Sequence, residues 1–257
     1  MPQGDFIWCE LMTSDAKAAE GFYRDVVGWT ADETGVAGIP YTTFKAAGAP
    51  VAGLMELSAE MRDAGASPGW LGYVYAGDVD ATARRVTELG GVIHRAAEDI
   101  PQIGRFAVVG APDGAVFALF KPSDGGDGPP RGRMVPGHVG WHELMAGELE
   151  SAFAFYAELF GWVRTEAIDM GPMGIYQLFA ARDGEEAIGG MMTRLPEMPA
   201  SFWLYYFNVE ALDAALERVT AGGGTLINEP MEVPGGAWVG QCLDPQGAMF
   251  ALVALRR

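Results

Sequence analysis

The sequence predicts an α+β chain of two tandem domains, each written as strand–helix–strand–strand–strand twice over, and three observations carry that reading. The first is an internal repeat at a constant offset of 133 residues. Trp8-Cys9-Glu10-Leu11-Met12 returns as Trp141-His142-Glu143-Leu144-Met145, Phe22-Tyr23 as Phe155-Tyr156, and Gly28-Trp29 as Gly161-Trp162. Further along, Arg85-Val86-Thr87 matches Arg218-Val219-Thr220, and Phe117-Ala118-Leu119 matches Phe250-Ala251-Leu252. Only residues 30–69 need small insertions. The second observation is the stretch from Pro122 to Gly132, rich in Gly and Pro, which continues neither regular element. It predicts domains over 1–122 and 137–257, joined by a linker over 123–136. The third is a hydrophobic period that switches between strand and helix spacing inside each copy.

Taken in order, residues 5–12 alternate as a strand and Asp15 to Val27 form a helix. Ala18, Ala19, Phe22, Tyr23, Val26 and Val27 recur at helical spacing, and Gly28 stops the helix. Strands follow near 29–34, 40–47 and 50–56. The pattern restarts with a strand at 70–76, a helix from Asp78 to Leu89 ended by Gly90-Gly91, and strands near 91–95, 104–110 and 115–120. The second copy gives strand 138–145, helix 148–160 and strands near 162–168, 174–181 and 186–192. It closes with strand 202–208, helix 210–221 and strands near 224–228, 237–243 and 248–254.

Acidic residues outnumber basic ones 34 to 17, for a formal net charge of -17. That balance argues against nucleic-acid backbones and anionic membranes as partners, because both require positive patches. Two cysteines make no disulfide framework. The first residues lack a basic n-region and no apolar run reaches about 18 residues, so a soluble cytoplasmic protein is expected. The expected partner is a small molecule, and the chain is a monomer or a homodimer.

Period-two alternation puts Trp8, Glu10 and Met12 on one face of the first strand, opposite Ile7, Cys9 and Leu11. Trp141, Glu143 and Met145 repeat this face opposite Gly140, His142 and Leu144. A carboxylate between Trp and Met must be solvated, paired with Arg or Lys, or hydrogen-bonded. Three roles stay open for Glu10 and Glu143: a structural bond across a domain or module seam, orientation of a ligand, and direct acid–base or metal work. On the restart strand Leu71, Tyr73 and Tyr75 share a face, as do Leu204, Tyr206 and Asn208, while Trp70, Trp203 and Tyr205 point away. Tyrosines there suit a pocket that holds an apolar body and fixes one polar atom, and equally a core edge. Met55 and Met192 suit an adaptable apolar site or a satellite core.

Metal ligands are scarce. The three histidines are His94, His138 and His142. His138 and His142 lie four apart on a segment read as strand, about 13 Å, too far for one ion about 2 Å from each ligand. Cys9 takes the place of His142 in the first copy. No metal and no cofactor are expected. A serine nucleophile elbow and a phosphate loop are both missing. Gly222-Gly223-Gly224 reads as a helix C-cap and turn, while Gly53 and Gly189-Gly190 permit close backbone approach.

Carried by Trp8-Cys9-Glu10-Leu11-Met12-Thr13-Ser14-Asp15, Phe22-Tyr23, Gly28-Trp29, their second-copy counterparts, Pro112-Asp113-Gly114-Ala115-Val116-Phe117 and Asp244-Pro245-Gln246-Gly247-Ala248-Met249-Phe250, the chain resembles the vicinal oxygen chelate superfamily. That superfamily includes glyoxalase I, bleomycin-resistance proteins and extradiol dioxygenases. The chain looks most like actinobacterial two-domain glyoxalase-like proteins, some of them labelled hydroxylase. The resemblance implies paired βαβββ modules with curved mixed sheets around a cleft in each domain. It also implies metal-ligand positions at Trp8, Leu71 and Ala118, and at Trp141, Leu204 and Ala251, with Met55, Glu56 and Met192 near a fourth. Trp, Leu and Ala bind no hard divalent ion. The expected function is therefore metal-free binding of a small, partly apolar metabolite or drug-like molecule. Its aromatic and Met-lined cleft draws on Trp8, Glu10, Met55, Tyr73, Tyr75, Trp141, Glu143, Met192 and Tyr206. One alternative is a glyoxalase-like lyase, isomerase or oxygenase with a non-standard metal site, or with Glu10 or Glu143 as base. Another is a structural or interaction protein whose clefts are filled.

Overall fold

The computed structural model describes residues 3–35, 38–123, 134–182 and 185–257, so most of the expected linker lies outside the described residues. The first repeat opens with β1 (Phe6–Thr13), α1 (Ala16–Val27), β2 (Thr30–Glu33), β3 (Thr42–Ala46) and β4 (Ala49–Glu56). A short helix, α2 (Ala59–Asp63), leads to β5 (Gly69–Tyr75), α3 (Val79–Glu88), β6 (Val92–Ile100), β7 (Gly104–Gly110) and β8 (Val116–Pro122). The second repeat runs β9 (Val139–Ala146), α4 (Leu149–Phe160), β10 (Val163–Asp169), β11 (Ile175–Ala180) and β12 (Gly189–Thr193). It ends with β13 (Phe202–Asn208), α5 (Leu212–Ala221), β14 (Thr225–Leu226), β15 (Met231–Val233), β16 (Ala237–Leu243) and β17 (Met249–Ala254). Within the modules the strand orders are β2-β3-β4-β1, β6-β7-β8-β5, β10-β11-β12-β9 and β14-β16-β17-β13, with β15 also on β16. In each, the opening strand pairs parallel with the last one and the other pairings are antiparallel. These are tandem α+β repeats of the expected βαβββ pattern, with mixed sheets.

Local chemistry sets the ends. Asp15 caps α1 by accepting from the Ala18 N–H at 2.9 Å, and Gly28 closes it with φ +86°. The helix expected from 210 begins at Leu212, and its N-cap residue, Ala211, is extended and makes no side-chain cap bond. β6 runs on to Ile100, beyond the expected 95, and its register shifts twice, between Ile93 and Arg95 and between Arg95 and Glu98. Those bulges spoil the alternation from which a strand is read. The strand expected over 224–228 is cut to Thr225–Leu226, and β15 starts just after Pro230.

The chain divides into two compact units, and each draws on both repeats. One comprises Met1–Ile7, Gly72–Gly128 and Trp141–Trp203; the other comprises Trp8–Leu71, Pro129–Gly140 and Leu204–Arg257. In the second unit α1 lies on α5. A Cβ on Gly222 or Gly224 would come within 3.0 Å of the Phe22 ring, and Arg218 Nη2 donates to the Val26 carbonyl at 3.0 Å. The core of this unit is an aromatic cluster on Tyr23, whose ring meets Trp29 at 6.0 Å, Trp70 at 5.2 Å and Phe250 at 5.3 Å. The other unit repeats it on Tyr156, with Trp162 at 5.1 Å, Trp203 at 5.4 Å and Phe117 at 5.6 Å. The repeats also exchange hydrogen bonds: Trp29 Nε1 donates to the Gly137 carbonyl at 2.7 Å, and Trp162 Nε1 to the Gly4 carbonyl at 2.9 Å. Gly4 and Gly137 hold φ at +84° and +81°, and a Cβ on Gly4 would stand 2.8 Å from Trp162 Nε1. Glycine is needed there twice over.

Tyr23 also carries the most consequential polar contact of its core. Its hydroxyl receives the Trp70 Nε1 proton at 2.9 Å and donates to Asp244 Oδ2 at 3.1 Å. Asp244 further accepts from the Gln246 and Ala248 N–H groups at 2.9 and 2.8 Å. Burial nevertheless raises its carboxyl above the usual value, and the Tyr23 bond opposes that rise. A raised folded-state value means this group's contribution is full below the unfolded value, about 3.9, and is lost as pH rises through the folded value. Tyr23→Phe removes a donor to the charged form. The substitution is expected to cost about 1–3 kcal/mol, with a larger loss at pH 7 than at pH 4. Urea denaturation at the two pH values checks both the size and the direction.

Candidate small-molecule site

The site is built twice, on β1 and β4 and again on β9 and β12. Parallel pairing sets Glu10 beside Gly53 and Met12 beside Met55; in the second repeat it sets Glu143 beside Gly190 and Met145 beside Met192. With Trp8 or Trp141 two residues earlier, each pair of strands shows Trp, Glu and two Met on one face. The indoles are half-buried, and both glutamates are only 7% exposed. A carboxylate so placed needs donors.

A tyrosine supplies one in each copy. Trp141 Nε1 donates to the Tyr176 hydroxyl at 2.8 Å, and that hydroxyl donates to Glu143 Oε2 at 2.9 Å. In the first repeat Trp8 Nε1 donates to the Tyr41 hydroxyl at 3.1 Å, and the same hydroxyl is hydrogen-bonded to Glu10. Because an indole N–H only donates, it fills an acceptor position on the hydroxyl and leaves the hydroxyl proton for the carboxylate. Burial, then the neighbouring Glu10 charge, push the Tyr41 phenol well above its ordinary value, so it stays a neutral donor. The tyrosines reach the glutamates over glycine. A Cβ on Gly53 would fall 1.8 Å from the Tyr41 hydroxyl, and one on Gly190 would fall 2.2 Å from Tyr176 Cζ.

Trp8, Glu10 and Met55 thus come together on β1 and β4, and Trp141, Glu143 and Met192 on β9 and β12. Tyr73 and Tyr75 lie on β5; Tyr73 is buried edge-on to Phe120 at 5.9 Å, and Tyr75 is half-buried. Tyr206 is buried on β13, where its hydroxyl accepts from Gln241 Nε2 at 3.3 Å. Trp70 and Trp203 turn to the opposite face and bond the helix tyrosines Tyr23 and Tyr156. The tyrosine bonded to each glutamate belongs to the glutamate's own module. Tyr41 and Tyr176 escaped the sequence reading. Their signal is a repeated Tyr-x-x-Phe, Tyr41 to Phe44 and Tyr176 to Phe179, displaced by 135 residues (176 minus 41) and hidden among the small insertions.

The position held by Cys9 and His142 has a structural explanation. Cys9 Sγ contacts the Val51 carbonyl at 3.9 Å, and His142 Nδ1 bonds the corresponding Ile188 carbonyl at 2.9 Å while its ring stacks on Phe6 at 3.9 Å. Burial pushes the Cys9 thiol far above its usual range, with Glu10 adding to the rise, and pushes Cys242 up to about 12. Neither thiol is primed as a nucleophile.

Residues 6–119 and 136–252 both match the Glyoxalase/Bleomycin resistance protein/Dioxygenase superfamily, and the chain belongs to it. The chain is 30% identical to the putative glyoxylase CFP32 of Mycobacterium tuberculosis, covering 98% of this chain and 95% of that protein. It is also 30% identical to the anthracycline biosynthesis protein DauV of a Streptomyces species, covering 97% and 92%. Among solved structures, the Mn(II)-bound glyoxalase from Novosphingobium aromaticivorans superposes with a TM-score of 0.66 at 17% identity, covering 100% of this chain and 83% of its own. The 2,3-dioxygenase LapB from Pseudomonas sp. KL28 gives 0.66 at 13% identity, covering 99% and 93%. These structures share the fold.

The donor set here does not fit a divalent ion of the kind that glyoxalase holds. Among the described residues no three His, Cys, Asp or Glu side chains gather as an ion would require. Trp8, Leu71, Ala118, Trp141, Leu204 and Ala251 offer no ligand atom to a hard cation. No helix among the described residues is long and apolar enough to cross a membrane.

Gly190→Ala is expected to drive the Tyr176 ring off Glu143 and to cost about 1–3 kcal/mol as overpacking. Tyr176→Ala vacates the space that the new methyl needs. In a double-mutant cycle read by urea denaturation, the pair should therefore be less destabilised than the sum of the singles. Additive losses would show that the close approach over Gly190 is not the constraint.

Proposed function

We propose that each repeat binds a small, partly apolar molecule on its Trp–Glu–Met face, with the glutamate fixing a polar group of the ligand. The observation that carries this reading is the same Trp–Tyr–Glu chain over a glycine in both repeats, set beside half-buried indoles and paired methionines. Indole and thioether surfaces suit an apolar body, and a carboxylate suits one directional contact. The Streptomyces relative, an anthracycline biosynthesis protein, directs attention to polycyclic aromatic compounds. Membership of the superfamily adds the scaffold. No nucleic acid and no membrane enters this reading, and the chain acts in the cytoplasm as a monomer or a homodimer.

The relatives favour a second reading with the same residues: a glyoxalase-like lyase, isomerase or oxygenase in which Glu10 or Glu143 takes a proton from the substrate. Thermal denaturation of the intact chain with a panel of metabolites, antibiotics and aromatic polyketides tests the binding claim. A selective ligand near 100 times its Kd is expected to add about 2.7 kcal/mol of stability, and Glu10→Gln with Glu143→Gln is expected to weaken that gain. A panel without a selective ligand overturns the binding reading. Turnover of a ligand so found, lost in the glutamine forms, supports the enzymatic one; elemental analysis of the purified chain tests for a metal at the same time.

A further inference from the structure

We propose that the two repeats take different ligands on the same kind of face. The first takes an aromatic body with a hydroxylated appendage such as a sugar ring; the second takes one whose appendage is apolar. This rests on the binding reading above and deepens it. The strands that extend each face away from its glutamate carry the difference. Register sets Glu10, Gly53, Thr43 and Asp32 in one row across β1, β4, β3 and β2. Beside that row the Thr34 N–H donates to the Tyr41 carbonyl at 2.9 Å, and the Thr34 and Thr43 hydroxyls are hydrogen-bonded at 3.1 Å. Lys45, two residues beyond Thr43, forms an ion pair with Asp32. In the second repeat the row is Glu143, Gly190 and Leu178, and Ile168 stands opposite Tyr176 as Thr34 stands by Tyr41. At the displacement of 135 that relates the two tyrosines, Leu178 replaces Thr43 (178 minus 43) and Ala180 replaces Lys45 (180 minus 45).

The exchange of polar for apolar is confined to one face of these strands. On the other face Phe44 and Phe179 are both fully buried, against Trp29 at 4.8 Å and Trp162 at 4.5 Å, and Ala46 and Ala181 are both buried. At those positions the core keeps the same residue, while the alternate positions switch from hydroxyl and ammonium to hydrocarbon. Thr43, Leu178 and Ile168 are all half-buried. Neighbouring strands lie about 4.8 Å apart, so Thr43 and Leu178 stand about 10 Å from the strand of the glutamate, within reach of a second ring on an aromatic body held there. An apolar ring laid over the first strip would take the threonine hydroxyls and the Lys45–Asp32 pair out of water and return no hydrogen bond, whereas a sugar ring returns several. Over Leu178 and Ile168 the balance reverses. An apolar ring there buries hydrocarbon against hydrocarbon, and sugar hydroxyls give up water beside side chains with no polar atom.

Two naphthyl ethers of similar size separate the faces on the intact chain: 2-naphthyl β-D-glucopyranoside and 2-benzyloxynaphthalene, titrated by fluorescence polarisation of the naphthyl group. Each is expected to saturate at one equivalent, and neither is expected to displace the other. Thr43→Leu/Lys45→Ala is expected to weaken the glucoside at least about tenfold and to open a second equivalent for the benzyl ether. Leu178→Thr is expected to weaken the benzyl ether about three- to tenfold and to leave the glucoside within about twofold. In each variant the unaffected probe reports that the chain is folded. Displacement of one probe by the other, two equivalents of either probe on the unaltered chain, or an equal response of both probes to either variant overturns the division between repeats while leaving a binding site in place. Failure of both probes, in a chain that stabilises with other members of the wider panel, overturns the division alone; failure of the panel as well overturns the binding reading with it.

Discussion

The burial of one carboxylate per repeat is the constraint from which the rest of the site follows. Removing an ionised group from water costs several kcal/mol unless the protein returns hydrogen bonds. Glu10 and Glu143 therefore each require a donor, and a tyrosine hydroxyl supplies one, from Tyr41 just before β3 and from Tyr176 on β11. The hydroxyl's proton is aimed at the carboxylate because a tryptophan N–H occupies its other side. The tyrosine reaches the carboxylate only where the intervening strand has no Cβ, which dictates Gly53 and Gly190. Four residue types are thus fixed by one energetic requirement.

Packing on the opposite face follows a comparable logic with a different tyrosine. Tyr23 and Tyr156 sit on helices, surrounded by Trp29, Trp70 and Phe250 or by Trp162, Trp203 and Phe117. Their partners come from both repeats, so the apolar cores join what the sequence separates. Asp244 marks a divergence: it receives the Tyr23 hydroxyl, whereas Ala111 stands at the corresponding place in the first repeat, 244 minus 133. The buried aromatic frame recurs while a polar accessory at its edge does not.

The fold was legible because its signals are local. Gly28 and Gly161 end helices whose apolar spacing is clear, and period-two faces place Trp8, Glu10 and Met12 together without reference to other strands. The grouping of modules into compact units was not legible. It depends on contacts such as Trp29 to Gly137 and Trp162 to Gly4, which lie 108 and 158 residues apart. The glutamates were readable as polar residues on an apolar strand, but their partners were not. Tyr41 is separated from Glu10 by a helix, a strand and their connections, and the spacing changes between repeats from 31 (41 minus 10) to 33 (176 minus 143). A fixed offset cannot align a contact whose loops have changed length.

That change of length bears on what the glutamates are for. Duplication alone explains why Trp8, Glu10 and Met12 return at 133, since no insertion separates those residues. It explains less well why Tyr41 returns at a displacement of 135, and Gly53 at 137, with the same bonds and the same close approach. Insertions on either side of the tyrosine have been absorbed in the connections while the three-residue chain keeps its geometry. A buried charge contributes little net stability, and an apolar residue of similar volume is often as good or better. Stability of the sheet therefore gives little reason to keep the carboxylate, the tyrosine and the glycine together in both copies. The ligand-holding role proposed for the glutamates gives a reason for all three.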